Sequence, residues 1–259
     1  MPGQASALAC TQLHWPRSLT PHSPPYSPPP PALQCAEALG AIADASTLEL
    51  LDAFSSDASP EVAETCAVAA RRVRDVLARA AAGEAGAEKK DEANPYESVD
   101  PAPAKRVITA AEVPAFAAQL LDQALPLFER YKAMFSLRNA GSKAAVLALC
   151  AGFADPSPLF RHEVAYVLGQ LQHAASVPAL KERTADAAEH EMVRHEAAEA
   201  LGAIGNSDCV DFLKAYTGSE CPVMLRESCT VALDAADYWS AGAATGAGAG
   251  EGSAVAAVQ

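Results

Sequence analysis

The chain has 259 residues, half of them apolar but only 6% aromatic, and its 19 basic against 32 acidic side chains leave a net charge of −13. Alanine supplies most of the apolar excess and favours packed helices over sheet; the acidity excludes a phosphate-binding surface, so no nucleic-acid partner is expected. No run nears the roughly 18 apolar residues of a membrane span, and seven scattered cysteines without a CxxC pair read as reduced, small buried residues of an intracellular, cytoplasmic protein.

In chain order, residues 1–31 come first, holding nine of the nineteen prolines and no acidic side chain. Such a leader cannot build a core and is expected to be disordered or polyproline-like. Residues 32–78 read as helical. Residues 79–106, with Ala-Gly repeats, a charged cluster and Pro-spaced Asn94–Pro103, read as a flexible linker. Residues 107–238 are helical again, and 239–259 form a Gly/Ala-rich tail. The two helical parts are copies of one module: Ala36–Ile42 and Ala198–Ile204 are identical at an offset of 162. Within the second copy Arg161–Gly169 recurs 33 residues later as Arg194–Gly202, with weaker copies beginning at Arg130 and Arg226. A period of 31–33 residues with two helices per unit predicts an all-α fold, an α-solenoid of short HEAT-like hairpins in two halves.

Two Arg-His-Glu triplets carry the chemistry: His162-Glu163 and His195-Glu196. Neighbouring residues on a helix diverge by about 100° and bracket one edge. Equal phase in stacked repeats, with axes about 10 Å apart, then brings two imidazoles and two carboxylates to one patch. That donor set suits iron, manganese or zinc, and two histidines with a carboxylate suit ferrous iron that uses oxygen. The bland reading is a polar inter-repeat ladder. A zincin is excluded, because His195 follows His190 at i+5 and not at i+4. Tyr131 and Lys132 fill the same slot one repeat earlier and read as core edge and surface, Glu227 as a helix-start carboxylate, and His173 as an exposed turn residue.

The segments Leu127–Gly141, Leu159–His173, Met192–Gly205, Pro60–Arg72 and Asn94–Pro103 resemble deoxyhypusine hydroxylase, in the family's order and over roughly residues 32–238. Lyase-type HEAT proteins share the scaffold but are not expected to carry the Ser98–Pro103 linker. The resemblance implies two facing halves around an iron pair, a di-iron centre of Fe2+ ions. It implies hydroxylation, with O2, of the deoxyhypusine side chain in the precursor of eukaryotic translation initiation factor 5A. His162, Glu163, His195 and Glu196 match two of the family's four His-Glu pairs and are the expected metal ligands, with no separate catalytic residue. In the first half Leu33 stands where His195 does and Gln34 where Glu196 does. The competing expectation is therefore a catalytically inactive HEAT scaffold that binds a basic protein or peptide. A homodimer pairing two C-terminal halves would rebuild a four-pair site.

Overall fold

The computed structural model describes residues 31–84, 96 and 98–245, and every regular element in them is helical. The proline-rich leader and most of the Gly/Ala tail lie outside the described residues. The N-terminal half is α1 (Pro31–Ile42), α2 (Leu48–Phe54) and α3 (Pro60–Arg79). The C-terminal half is α4 (Val113–Leu121), α5 (Leu127–Ala140), α6 (Lys143–Ala151), α7 (Pro158–Leu171), α8 (Val177–Ala185), α9 (Glu191–Ile204), α10 (Ser207–Lys214) and α11 (Val223–Thr245). No described helix is long and apolar enough to cross a membrane.

The helix starts are written in the sequence. Ser59, Ser142, Ser157 and Asn206 each accept a backbone N–H from the first turn of α3, α6, α7 and α10, and Pro60 and Pro158 fill first-turn positions where no N–H is needed. Gly141 and Gly205 close α5 and α9 in the left-handed region. The core runs through the C-terminal half around Phe135, Phe160, Leu168, Leu180, Leu201 and Leu213, all fully buried, while Leu51, Val62, Cys66 and Val73 form a smaller cluster in the N-terminal half. Each buried leucine or phenylalanine contributes roughly 1.5–3 kcal/mol.

Helices of successive repeats touch at glycines. A Cβ on Gly169 of α7 would lie 3.1 Å from Ala200 Cβ of α9, and one on Gly202 of α9 would lie 2.5 Å from the Ala232 carbonyl oxygen of α11. This close approach brings the histidine-bearing edges of α7 and α9 together.

The arginine of each triplet is structural. Arg130 Nε donates to the Leu120 carbonyl oxygen and its guanidinium pairs with buried Asp155; Arg161 binds Glu189 and the Asp155 carbonyl oxygen; Arg194 Nε donates to the Thr184 carbonyl oxygen. Each ties a helix start to the end of the preceding helix or to the loop beside it.

Both ends of the 79–106 stretch pack more closely than its composition suggests, and residues 85–95 and 97 lie outside the described residues. α3 runs to Arg79 and a π-turn to Glu84, and Ser98–Arg106 packs on the C-terminal half. Arg138, 1% exposed, pairs with both oxygens of Asp100, donates to Gln170 and Ser98, and lies against the Tyr96 and Phe135 rings. A buried guanidinium requires such full pairing, so Asp100 fixes the strap. The tail also begins later than residue 239: the alanine-rich stretch after it continues α11 to Thr245.

Candidate metal centre

His162 and Glu163 lie on α7, and His195 and Glu196 on α9. The contact that forms is diagonal: His162 Nε2 lies 3.2 Å from Glu196 Oε2. On the other side of Glu196, the ligand atoms of His195, Glu196 and Glu199 all lie within 4.8 Å of one another, with His195 Nε2 3.4 Å from Glu199 Oε1. Glu196 thus stands between two imidazoles. Glu199 follows His195 at i+4 and shares its helix face; that spacing was visible in the sequence but was passed over for the adjacent pairs.

A residue outside the triplets sets the tautomer of His195. Ser228 Oγ donates its one hydrogen to the Met224 carbonyl oxygen and lies 2.8 Å from His195 Nδ1. The serine can only accept from that nitrogen, so Nδ1 carries the proton and Nε2 presents its lone pair toward Glu196 and Glu199. Metal-ligating histidines are oriented by such a donated bond.

Glu163 takes a different place. The charges that act on it are His162, Glu37, Glu196 and Asp100, which sets it toward α1 and the strap. Burial pushes its carboxyl up to about 8, opposed by His162 and reinforced by the other three. Burial pushes the His162 ring down, but its bond to Glu196 and the charges of Glu196, Glu163 and Glu37 override this and hold it at about 9. For Glu196, burial disfavours the charge, yet the His162 bond, with both histidine charges, holds it below the ordinary carboxylate range. Burial outweighs His195 at Glu199 and raises it. Glu37, the counterpart of Glu199 at the 162-residue offset, is likewise raised by burial and feels His162 and Glu196.

His195, Glu196 and Glu199 stand close enough to share one transition-metal ion, and His162 reaches that group through Glu196. Nitrogen and oxygen ligands about 2.1 Å from an ion stand roughly 3.0–3.4 Å apart, and the His162–Glu196 and His195–Glu199 separations are of this size. The buried Nδ1 of His162 has no hydrogen-bond partner. A second, matching set is not present among the described residues. Leu33 is an apolar core residue, 4% exposed, and exposed Gln34 beside it is neutral. Of the iron pair that the resemblance implies, the described residues furnish donors for one site.

The remaining candidates resolve simply. His190 caps α9 by accepting the Met192 N–H, and its Nε2 lies 3.9 Å from Glu61. His173 caps the turn before α8 in the same way. Lys132 pairs with Glu129 over the Phe128 ring. Tyr131 is buried, not an edge residue, at 3% exposure.

Family models for HEAT repeats and for the PBS lyase HEAT-like repeat match residues 146–234 and 129–155. The chain is 49% identical over 205 residues to a deoxyhypusine hydroxylase of Danio rerio, covering 79% of this chain and 65% of the relative. It is 50% identical over 201 residues to that of Homo sapiens, covering 78% and 63%. The chain thus spans just under two thirds of the length of these curated relatives. The solved structure of human deoxyhypusine hydroxylase in complex with glycerol superposes with a TM-score of 0.71 at 48% identity, over 80% of this chain and 67% of that one.

Proposed function

The chain belongs to the deoxyhypusine hydroxylase family, and we propose that it is a monooxygenase acting on the deoxyhypusine side chain of the precursor of translation initiation factor 5A, with one ferrous ion at the α7–α9 edge. The observation that carries this reading is the Glu196 carboxylate set between His162 and His195. The family resemblance supplies the substrate.

His162, His195 and Glu196 would hold the ion, with Glu199 as a further oxygen donor. Bound there, ferrous iron supplies the activation of molecular oxygen. The rest falls to the chain's own groups. Ser228 keeps the His195 lone pair on Nε2. His162 gives up the proton it holds toward Glu196 before its Nε2 can serve as a ligand. The acidic side chains of Glu37 and Glu163 bear on the same patch, and an amine cation bound there would favour release of the proton that burial keeps on Glu163. Asp100, locked by Arg138, holds the strap on the Glu163 side.

The test is anaerobic loading with ferrous iron, followed by addition of O2, a reductant and the deoxyhypusine-containing precursor. About one tight ion per chain is expected, together with hydroxylated product. His162→Ala and His195→Ala should each lower bound iron sharply while helix content holds, because the repeat core rests on Leu168 and Leu201. Iron content unchanged in both variants would remove the metal site and the reading with it.

A further inference from the structure

Tyr131 holds the slot that His162 and His195 hold in the next two repeats. Its ring packs against Phe135 (centroids 6.3 Å apart, edge-on) and Phe160 (5.8 Å), which fixes its direction. The residue is 3% exposed, yet its hydroxyl is buried with no hydrogen-bond partner among the described residues. Tyrosine hydroxyls usually find a partner when buried, and an unmet one costs roughly 1–3 kcal/mol.

The surroundings define what would satisfy it. Three carboxylates from three helices bear on the phenol: Glu163 of α7, Glu64 of α3 and Glu37 of α1. Glu64 is held in place by the Ser157 hydroxyl, which donates to its Oε2 at 2.6 Å and joins α3 to the start of α7. The cations there are committed: Arg130 to Asp155, to the Leu120 carbonyl oxygen and to the face of Phe160, and His162, which acts on Glu37 and Glu163, to Glu196. The junction therefore offers several acceptors without a free positive group. An anion is repelled there, and a neutral hydroxyl would leave the carboxylates uncompensated. A primary ammonium brings three N–H donors and one positive charge.

We propose that the Tyr131 hydroxyl, with the Glu37 and Glu64 carboxylates, forms a receptor for a primary ammonium group beside the metal centre. It anchors the free end of a long amine side chain while the chain's reacting part lies toward His162 and Glu196. The inference rests on the hydroxylase reading for its substrate, but its geometry is that of the metal-free protein. Tyr131 acts by binding, and the specificity it confers is for a side chain that ends in an amine.

The test uses the full chain without iron and spermidine, a triamine with an aminobutyl arm, titrated calorimetrically at pH 7 and low salt. Tyr131→Phe should weaken binding about fivefold, and Glu37→Gln and Glu64→Gln about tenfold each. Glu49→Gln, on exposed α2, should bind as the parent does. The thermal midpoint of unliganded Tyr131→Phe should hold or rise, since an unmet hydroxyl has been removed; a tyrosine with only a structural role would lower it. No parent binding up to millimolar spermidine overturns the receptor, and so does equal affinity in Tyr131→Phe and Glu37→Gln. Ferrous titration separates the two readings. Iron bound normally with no amine selectivity refutes the receptor alone, whereas amine bound normally with no iron refutes the hydroxylase alone.

Discussion

Replacing Glu163 by glutamine should make the metal-free protein more stable at neutral and alkaline pH. In the fold this carboxyl ionises only near pH 8, against 4.5 ordinarily. A group whose folded pKa is raised in this way keeps its proton in the native state after the unfolded chain has lost it. The unfolded state then binds fewer protons, so stability falls as pH rises through the window from 4.5 to 8. Each pH unit in that window costs about 1.4 kcal/mol. Between pH 5.5 and 8 the loss through this one group is about 3 kcal/mol. His162 pulls the same way: its pKa is raised from 6.5 to about 9, so its stabilisation is complete below 6.5 and is lost as pH rises through 9.

Glutamine copies the shape of the protonated acid and cannot ionise, so Glu163→Gln should abolish the first contribution and, by removing one of the charges that hold His162 up, trim the second. The assay is urea unfolding of chelator-treated protein, followed by helical circular dichroism at pH 5.5 and 8. With a denaturant slope of about 2 kcal/mol/M, the parent midpoint should fall relative to the variant by about 1.5 M over that range. Parallel pH dependences in parent and variant would refute the placement of Glu163 among Glu37, Glu196 and Asp100.

Four further outcomes follow from the packing. Ser228→Ala removes the acceptor that holds the proton on His195 Nδ1, so anaerobic ferrous titration should show affinity lower by about tenfold at a stability cost near 1 kcal/mol. Asp100→Ala leaves the buried Arg138 charge unpaired and should cost about 3 kcal/mol in urea unfolding. Ala43 holds a left-handed conformation (φ 57°) at the position where the second copy has Gly205, so Ala43→Gly should raise stability by about 0.5–1 kcal/mol. By contrast Gly202→Ala drives a methyl into the Ala232 backbone and should lower it by about 1–3 kcal/mol, read by thermal unfolding.

The fold was legible because its signals are local and repeated. Serine and asparagine caps, closing glycines and the 33-residue recurrence of Arg161–Gly169 each announce a hairpin, and stacking follows from hairpins that cannot bury their faces alone. The triplets point to the donor cluster for the same reason, since equal phase places them side by side. Pairing was harder to read. His162 meets Glu196 and not Glu163, because α7 and α9 are set by the Gly169–Ala200 contact and not by sequence adjacency. Ser228 and Tyr131 were out of reach. One acts through a hydroxyl whose single hydrogen is used elsewhere, and the other through a missing partner; neither condition exists until three helices have packed. The strap is hard to read for a related reason, as its Pro-spaced composition looks like a spacer until Asp100 closes on a buried arginine.

The internal copy separates scaffold from chemistry. Gly40 meets Ala69 in the first copy as Gly202 meets Ala232 in the second, so helices approach closely in both. The carboxylate at the Glu37 and Glu199 position is also kept. Yet Leu33 replaces the histidine and is buried as an ordinary core residue, and its half remains packed around Leu51, Val62 and Val73. Close helix approach is therefore required for a donor cluster but does not depend on one. The donors at His162, His195 and Glu196 are carried at a cost, seen in the proton that burial forces onto Glu163 and in the unpaired Nδ1 of His162. Packing does not explain that cost. The proposed ligands would account for it, because an ion at Glu196 and a cation beside Tyr131 would supply those partners.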